Sequence, residues 1–311
     1  MNLTLANTLI NSVNLNGEGP GPAPGPEFII EVDTTKSGTS NSNQFEFTGA
    51  VGEYDVEAYQ NDSLVASFSD LVNQQTITLP SEGIYELRVI PKESGFDKLR
   101  FDFGGDRLKL LKILNWGLYG VNEPNQLNAF RGCENNTEIA GNGAWFDVVT
   151  SAFSMFNSNS LTSLPAGMDF PNLINGYQMF ARNSLTSLPE SMELPNLTSG
   201  PGMFSRNSLT SLPAGMELPL LTNGSDMFIN NSLTDLPSGM TLPLLERGIR
   251  FLTGNTINTE RYSQLLIDLE ANNSNTNVIF WGGFSKYNTQ GQIARNALLS
   301  RGWTITDGGL E

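Results

Sequence analysis

Histidine is absent from this 311-residue chain, and cysteine occurs once, as Cys133. Without histidine there is no Ser-His or Cys-His nucleophile pair, no imidazole general base and no His-ligated zinc site. A single cysteine cannot close an intrachain disulfide, so the fold must hold on packing alone, and a reducing compartment of synthesis is expected. No run of 18 uncharged apolar residues exists, so no helical membrane span or membrane insertion is expected. Residues 1–16 contain neither Lys nor Arg and no cysteine for lipid attachment, so no secretory signal is expected there. Positive charge is also scarce: 17 Lys and Arg against 32 Asp and Glu leave a net charge of −15. That balance argues against nucleic acid and against anionic membrane surfaces as partners. The acidity is uneven, with 12 acidic and 3 basic side chains in residues 1–92 but 7 and 4 in residues 155–250. It reads as solubilising surface charge rather than as a steering field.

What is present is periodic. Met155-Phe156, Met179-Phe180, Met203-Phe204 and Met227-Phe228 each open a unit of 24 residues. Each unit continues with Asn-Ser-Leu-Thr-x-Leu-Pro, then a Met, a second Pro, and a Gly three residues before the next Met. Such self-similarity predicts a solenoid whose turns bury their apolar faces against one another. In the second unit the inward set is Met179, Phe180, Leu185, Leu188, Met192, Leu194 and Leu197. Leu-x-x-Leu-Pro predicts a short strand ended by proline, with neighbouring turns about 4.8 Å apart. Asn159, Asn183, Asn207, Asn231 and Asn255 recur at one position and predict a structural ladder of side-chain hydrogen bonds to the backbone. Gly176, Gly200, Gly224 and Gly248 predict a position of positive φ. The candidate binding surface comprises Thr162, Thr186, Thr210 and Thr234 on the strand face, with Tyr177, Gln178, Asp226 and Arg250 in the variable columns.

Around the repeats the chain divides further. Residues 1–26 read as an anchoring peptide followed by a Pro/Gly linker of extended character. Residues 27–92 show period-two patterning, with strands expected at 28–33, 44–48, 54–60, 64–68, 76–79 and 84–90, an immunoglobulin-like β-sandwich. Residues 93–257 are assigned to the solenoid, with Leu108–Trp116 as a first strand-bearing turn. Residues 258–311 are read as an α/β C-terminal cap, with a helix over Glu260–Asn272 capped by Thr259, a second helix over Gln290–Arg301, and strands at 278–281 and 303–306. The fold class is thus mostly β. Short Asp-Gly turns at Asp102–Asp106 and Asp307–Gly309 leave calcium open as an alternative to plain turns.

Two stretches carry resemblances. Gln75–Leu87, QTITLPSEGIYEL, resembles the closing hairpin of immunoglobulin-like domains of the polycystic-kidney-disease type. The Met-Phe…Asn-Ser-Leu-Thr-x-Leu-Pro unit, with LKLLKILNWG at 108–117 and RGWTITDGG at 301–309, resembles the BspA-like leucine-rich-repeat surface proteins. The resemblance implies the surface adhesins of bacteria or, behind an immunoglobulin-like module, bacteriophage proteins; it implies no catalytic residues and no cofactor. The expected function is a non-enzymatic virion structural protein, a head or tail fibre or decoration protein, made in the host cytoplasm and displayed on the virion surface. Virion proteins would be its partners through residues 1–26, and a host-surface glycan or protein through the repeats, with a homo-oligomer possible. A bacterial adhesin is the alternative. A glycan depolymerase is a second, disfavoured because Glu190, Glu193, Glu217, Asp226 and Asp235 do not recur as a facing pair.

Overall fold

The computed structural model describes residues 25–311, so all but the last two residues of the expected anchor and linker lie outside the described residues. The first strands are β1 (Phe28–Asp33), β2 (Gln44–Glu46), β3 (Val51–Gln60), β4 (Ser63–Val72), β5 (Thr76–Thr78) and β6 (Ile84–Lys98). Two further strands, β7 (Leu110–Asn115) and β8 (Glu138–Ile139), follow. Alternation sets the inward face: Phe28, Ile30 and Val32 of β1, Tyr54, Val56 and Ala58 of β3, and Tyr85, Leu87 and Val89 of β6 are buried. Each of the larger of these side chains contributes about 1.5–3 kcal/mol by leaving water. Asn61 and Asp62 both have positive φ, which matches a two-residue turn to the twist of the β3–β4 hairpin.

The expected immunoglobulin-like sandwich is corrected. Among the described residues the strands form one six-stranded sheet in the order β4-β3-β6-β1-β7-β8, with only a two-stranded ribbon, β2-β5, beside it. β7 pairs antiparallel with β1, and β8 pairs parallel with β7, so the sheet recruits chain from beyond residue 92. The segment read as the first turn of the solenoid is therefore a strand of this sheet.

The expected leucine-rich-repeat solenoid is corrected too. Between residues 155 and 246 no strand forms, and the sheets elsewhere neither close nor continue through the repeats. Successive units touch through single-residue parallel bridges, Ser151 to Asn175, Asn175 to Ser199, Ser199 to Asn223 and Asn223 to Arg247. The backbone bonds between units sit mainly on the Met-Phe turns. The N–H groups of Gly176, Gln178, Phe180 and Arg182 donate to the carbonyls of Ser199, Pro201, Met203 and Ser205, each at 2.9 Å. Left-handed backbone at Gln178 (φ 49°) and Arg182 (φ 58°) breaks up the segment into turns, and every second N–H faces the next unit. On Leu-x-x-Leu-Pro the bonds are sparser: Ser184 N–H to Leu161 O is 2.9 Å, and Thr186 N–H to Thr162 O stretches to 3.3 Å. Proline then supplies no donor.

The recurrent glycines are explained differently from expectation. Gly176, Gly200, Gly224 and Gly248 do not have positive φ. They are small because a Cβ at Gly176 would lie 2.8 Å from the Met203 sulfur, and one at Gly224 2.8 Å from the Phe251 ring.

Side chains carry the core across both regions. Phe28, Phe96, Trp116, Tyr119 and Phe130 pack as an aromatic cluster, and Phe130 leads into a file of parallel rings. Phe156, Phe180, Phe204 and Phe228 follow at 5.6–5.9 Å with interplanar angles of 3–8°. The file ends at Phe251, which meets Phe228 edge-on at 87°. There the chain turns to β9 (Arg247–Gly248), α1 (Thr259–Asn272), β10 (Ile279–Trp281), α2 (Thr289–Ser300) and β11 (Thr304–Thr306), a three-stranded parallel sheet ordered β11-β10-β9 with two helices. The residue capping α1 is Asn258, not Thr259: its side chain accepts the Arg261 N–H.

Candidate functional site

The asparagine column is held between units. Asn183 Nδ2 donates to Phe156 O at 2.9 Å, and its Oδ1 accepts the Leu161 N–H at 3.0 Å. Asn207, Asn231 and Asn255 repeat both contacts with Phe180 and Leu185, Phe204 and Leu209, and Phe228 and Leu233. Asn159 donates to Phe130 O at 2.8 Å. These amides consume the leucine N–H that a strand ladder would use, which is the local reason no strand forms there. All but Asn183 are buried, and each amide of the column is committed to a backbone carbonyl.

The outward residues fall into two separate groups. Thr162, Thr186, Thr210 and Thr234 are exposed along the leucine segment, where their backbones join neighbouring units. Tyr177, Gln178, Asp226 and Arg250 are brought together instead on the Met-Phe turns, around a hollow of about 180 Å³. Its cause is compositional. The column holding Gln178, Asp226 and Arg250 has Gly202 in the middle, so one side chain is missing from the row. Arg250 closes one end, with Nη2 donating to Asp226 Oδ2 at 2.8 Å and Nε 2.6 Å from Oδ1. Tyr177 lies flat against Phe153, with centroids 4.4 Å apart at 9°.

Two residues of this hollow were not singled out by sequence reasoning. Arg182 and Arg206 line it, both exposed, from equivalent positions of adjacent units. Among the described residues neither has a carboxylate partner, unlike Arg250. Both hold left-handed backbone, φ 58° and 56°, which costs an L-residue roughly 1–2 kcal/mol relative to glycine. The signal was legible: the same position is Asn230 and then Gly254 in later units, the residue types that favour positive φ.

The acidic candidates separate. Glu193 and Glu217 line a second hollow, of about 280 Å³, with Pro195 and Pro219. They occupy one position of successive units, so they stand side by side rather than across a cleft. Glu190 Oε2 accepts the Ala214 N–H at 3.2 Å, and Asp235 pairs with Arg261 at 3.2 Å. The Asp-Gly turns have engaged carboxylates. Asp102 takes Arg131 at 3.1 Å, and Asp307 takes Arg295 at 2.8 Å and the Tyr262 hydroxyl at 3.2 Å. Asp106 accepts the N–H groups of Ser40 and Glu46 at 3.0 and 2.7 Å and faces the buried Lys109 ammonium at 3.3 Å. Lys109 in turn donates to the carbonyls of Ser40, Asn41 and Gln44. No group of three or more metal-ligating side chains occurs among the described residues. Burial pushes the Cys133 thiol well above its ordinary pKa, so it stays protonated and unreactive at neutral pH.

No family model matches the chain, and no curated protein or solved structure matches it. The geometry of the chain itself is therefore the basis for a functional reading.

Proposed function

We propose that this chain is a non-enzymatic structural protein that displays its repeats as a binding surface, in the manner of a bacteriophage fibre or decoration protein. One observation carries the reading. The inward columns of the repeats are nearly invariant and buried, whereas the outward columns change from unit to unit on a constant frame. Such a frame holds differing side chains at a fixed spacing set by packing, which suits recognition of an extended partner. The carboxylates support the same reading, because Glu193 and Glu217 lack the opposed placement that glycoside hydrolysis needs.

The test is localisation. An antibody raised against residues 155–250 should label the outside of intact particles purified from cells that express the gene. Label confined to the bacterial envelope, with particles bare, would replace the virion reading with an adhesin. Release of reducing ends from envelope polysaccharide by the purified protein would replace both with a depolymerase.

A further inference from the structure

Resting on that display reading, we infer that the hollow at Gly202 is a subsite for the carboxylate of an acidic saccharide, held by Arg182 and Arg206. The two guanidinium groups come from equivalent positions of neighbouring units, whose phenylalanine rings stand 5.9 Å apart. Two like charges lining one hollow repel each other, and among the described residues neither is paired with a carboxylate, as Arg250 is with Asp226. Folding gains no ion pair from this arrangement among the described residues. It loses again through the left-handed backbone, which the chain itself relieves with Asn230 and Gly254 in the two following units. Two arginines kept in strained positions, side by side and unpaired, beside a hollow one side chain deep, match an anion supplied from outside.

The remaining lining identifies the rest of the ligand. Beside the Asp226–Arg250 ion pair, in which the one carboxylate of the lining is neutralised, Tyr177 and Gln178 bring a hydroxyl and a planar amide, and Ser205 a further hydroxyl, groups that exchange hydrogen bonds with a polyol. An acidic peptide fits less well. The N–H groups of Gln178, Gly202 and Asp226 are already spent on Pro201, Ser225 and Ile249, so a peptide backbone finds no edge to pair with. About 180 Å³ is also smaller than a drug-sized cavity and suits a single ring of a chain that runs on across the surface.

The experiment is calorimetric titration of the full chain with trigalacturonate, with maltotriose and triglutamate as the neutral and peptide arms. Trigalacturonate should bind, more weakly as salt rises, and maltotriose should not. The double variant Arg182→Asn, Arg206→Asn places at both positions the residue the chain uses at 230. It should weaken binding at least about tenfold while the melting temperature stays the same or rises. An absent trigalacturonate signal, binding unchanged in the double variant, or triglutamate binding as tightly would each overturn the inference. The two readings fail separately. Particles labelled by antibody but indifferent to the arginine variant would remove the subsite alone. Arginine-dependent saccharide binding by a protein missing from particles would remove the virion setting alone.

Discussion

The sheet around β1 and β6 and the repeats from 155 to 250 bury similar apolar side chains but satisfy their backbones by opposite means. In the sheet, continuous registers such as Phe28–Asp33 against Val89–Ile84 pair backbone with backbone, and side chains add isolated bonds such as Asn115 Nδ2 to Glu27 O at 2.7 Å. In the repeats, one asparagine per unit completes what single-residue bridges leave open. The lesson is that a repeat can keep its period without a sheet, provided a polar side chain recurs with it. Titration divides them as well. The repeats bury Met, Phe, Leu, Asn and Ser, none of which ionises, whereas Tyr54 and Tyr119 in the sheet region and Tyr262 in α1 are buried phenols.

That division yields the largest predicted effect. Burial raises the pKa of all three phenols above the ordinary 10.0. A raised folded pKa means the stabilisation is complete below pH 10 and is lost as pH climbs from there through the folded value. Three such groups give a slope of about 4 kcal/mol per pH unit, at about 1.4 for each. Hydrogen exchange at pH 10–11 should open the sheet and α1 before the repeats; simultaneous opening would erase the contrast. Next in size, Phe204→Ala removes a ring from the middle of the file and should cost about 3–5 kcal/mol by denaturant titration. Asn207→Ala strands the Leu185 N–H in a buried site, while the Phe180 carbonyl keeps its bond from Asn183. At about 1–3 kcal/mol for that one unsatisfied group it should cost less than the phenylalanine. A loss under about 1 kcal/mol would show that water replaces the amide and that the two regions differ less than their bonds suggest. Gly224→Ala drives a methyl to 2.8 Å from the Phe251 ring and should cost about 1–3 kcal/mol. Gly200→Ala, whose nearest neighbour is Leu197 at 3.1 Å, should cost less. Smallest of all, Arg206→Asn should change stability by no more than about 1–2 kcal/mol and in the stabilising direction.

Much of this was legible beforehand, though not all for the right reason. Strand positions such as 28–33 matched because alternation reports burial directly. The inward set of each unit, Met179 to Leu197 in the second, was legible for the same reason. The immunoglobulin-like reading failed because β7 and β8, distant in sequence, complete the sheet from outside the segment that looked self-contained. The solenoid strand failed because Leu-x-x-Leu-Pro looks the same whether its N–H groups meet a neighbouring backbone or an asparagine. The glycine column was recognised as special but assigned to conformation when close packing was the cause. Left-handed φ fell instead on columns holding Gln178, Arg182 and Arg206, where glycine stands in a single repeat unit of each, as Gly202 and Gly254. The hollow was half legible: Tyr177, Gln178, Asp226 and Arg250 vary as surface residues do, but the two arginines drew no notice.

The amino-acid sequence by itself determined the period of 24, the residues that face inward and the chemistry available at each outward position, because burial and charge follow from side-chain identity. Tertiary structure alone decided which backbone groups meet. Hydrogen bonding depends on φ, ψ and the neighbour brought alongside, and those are properties of the packed chain rather than of any one unit.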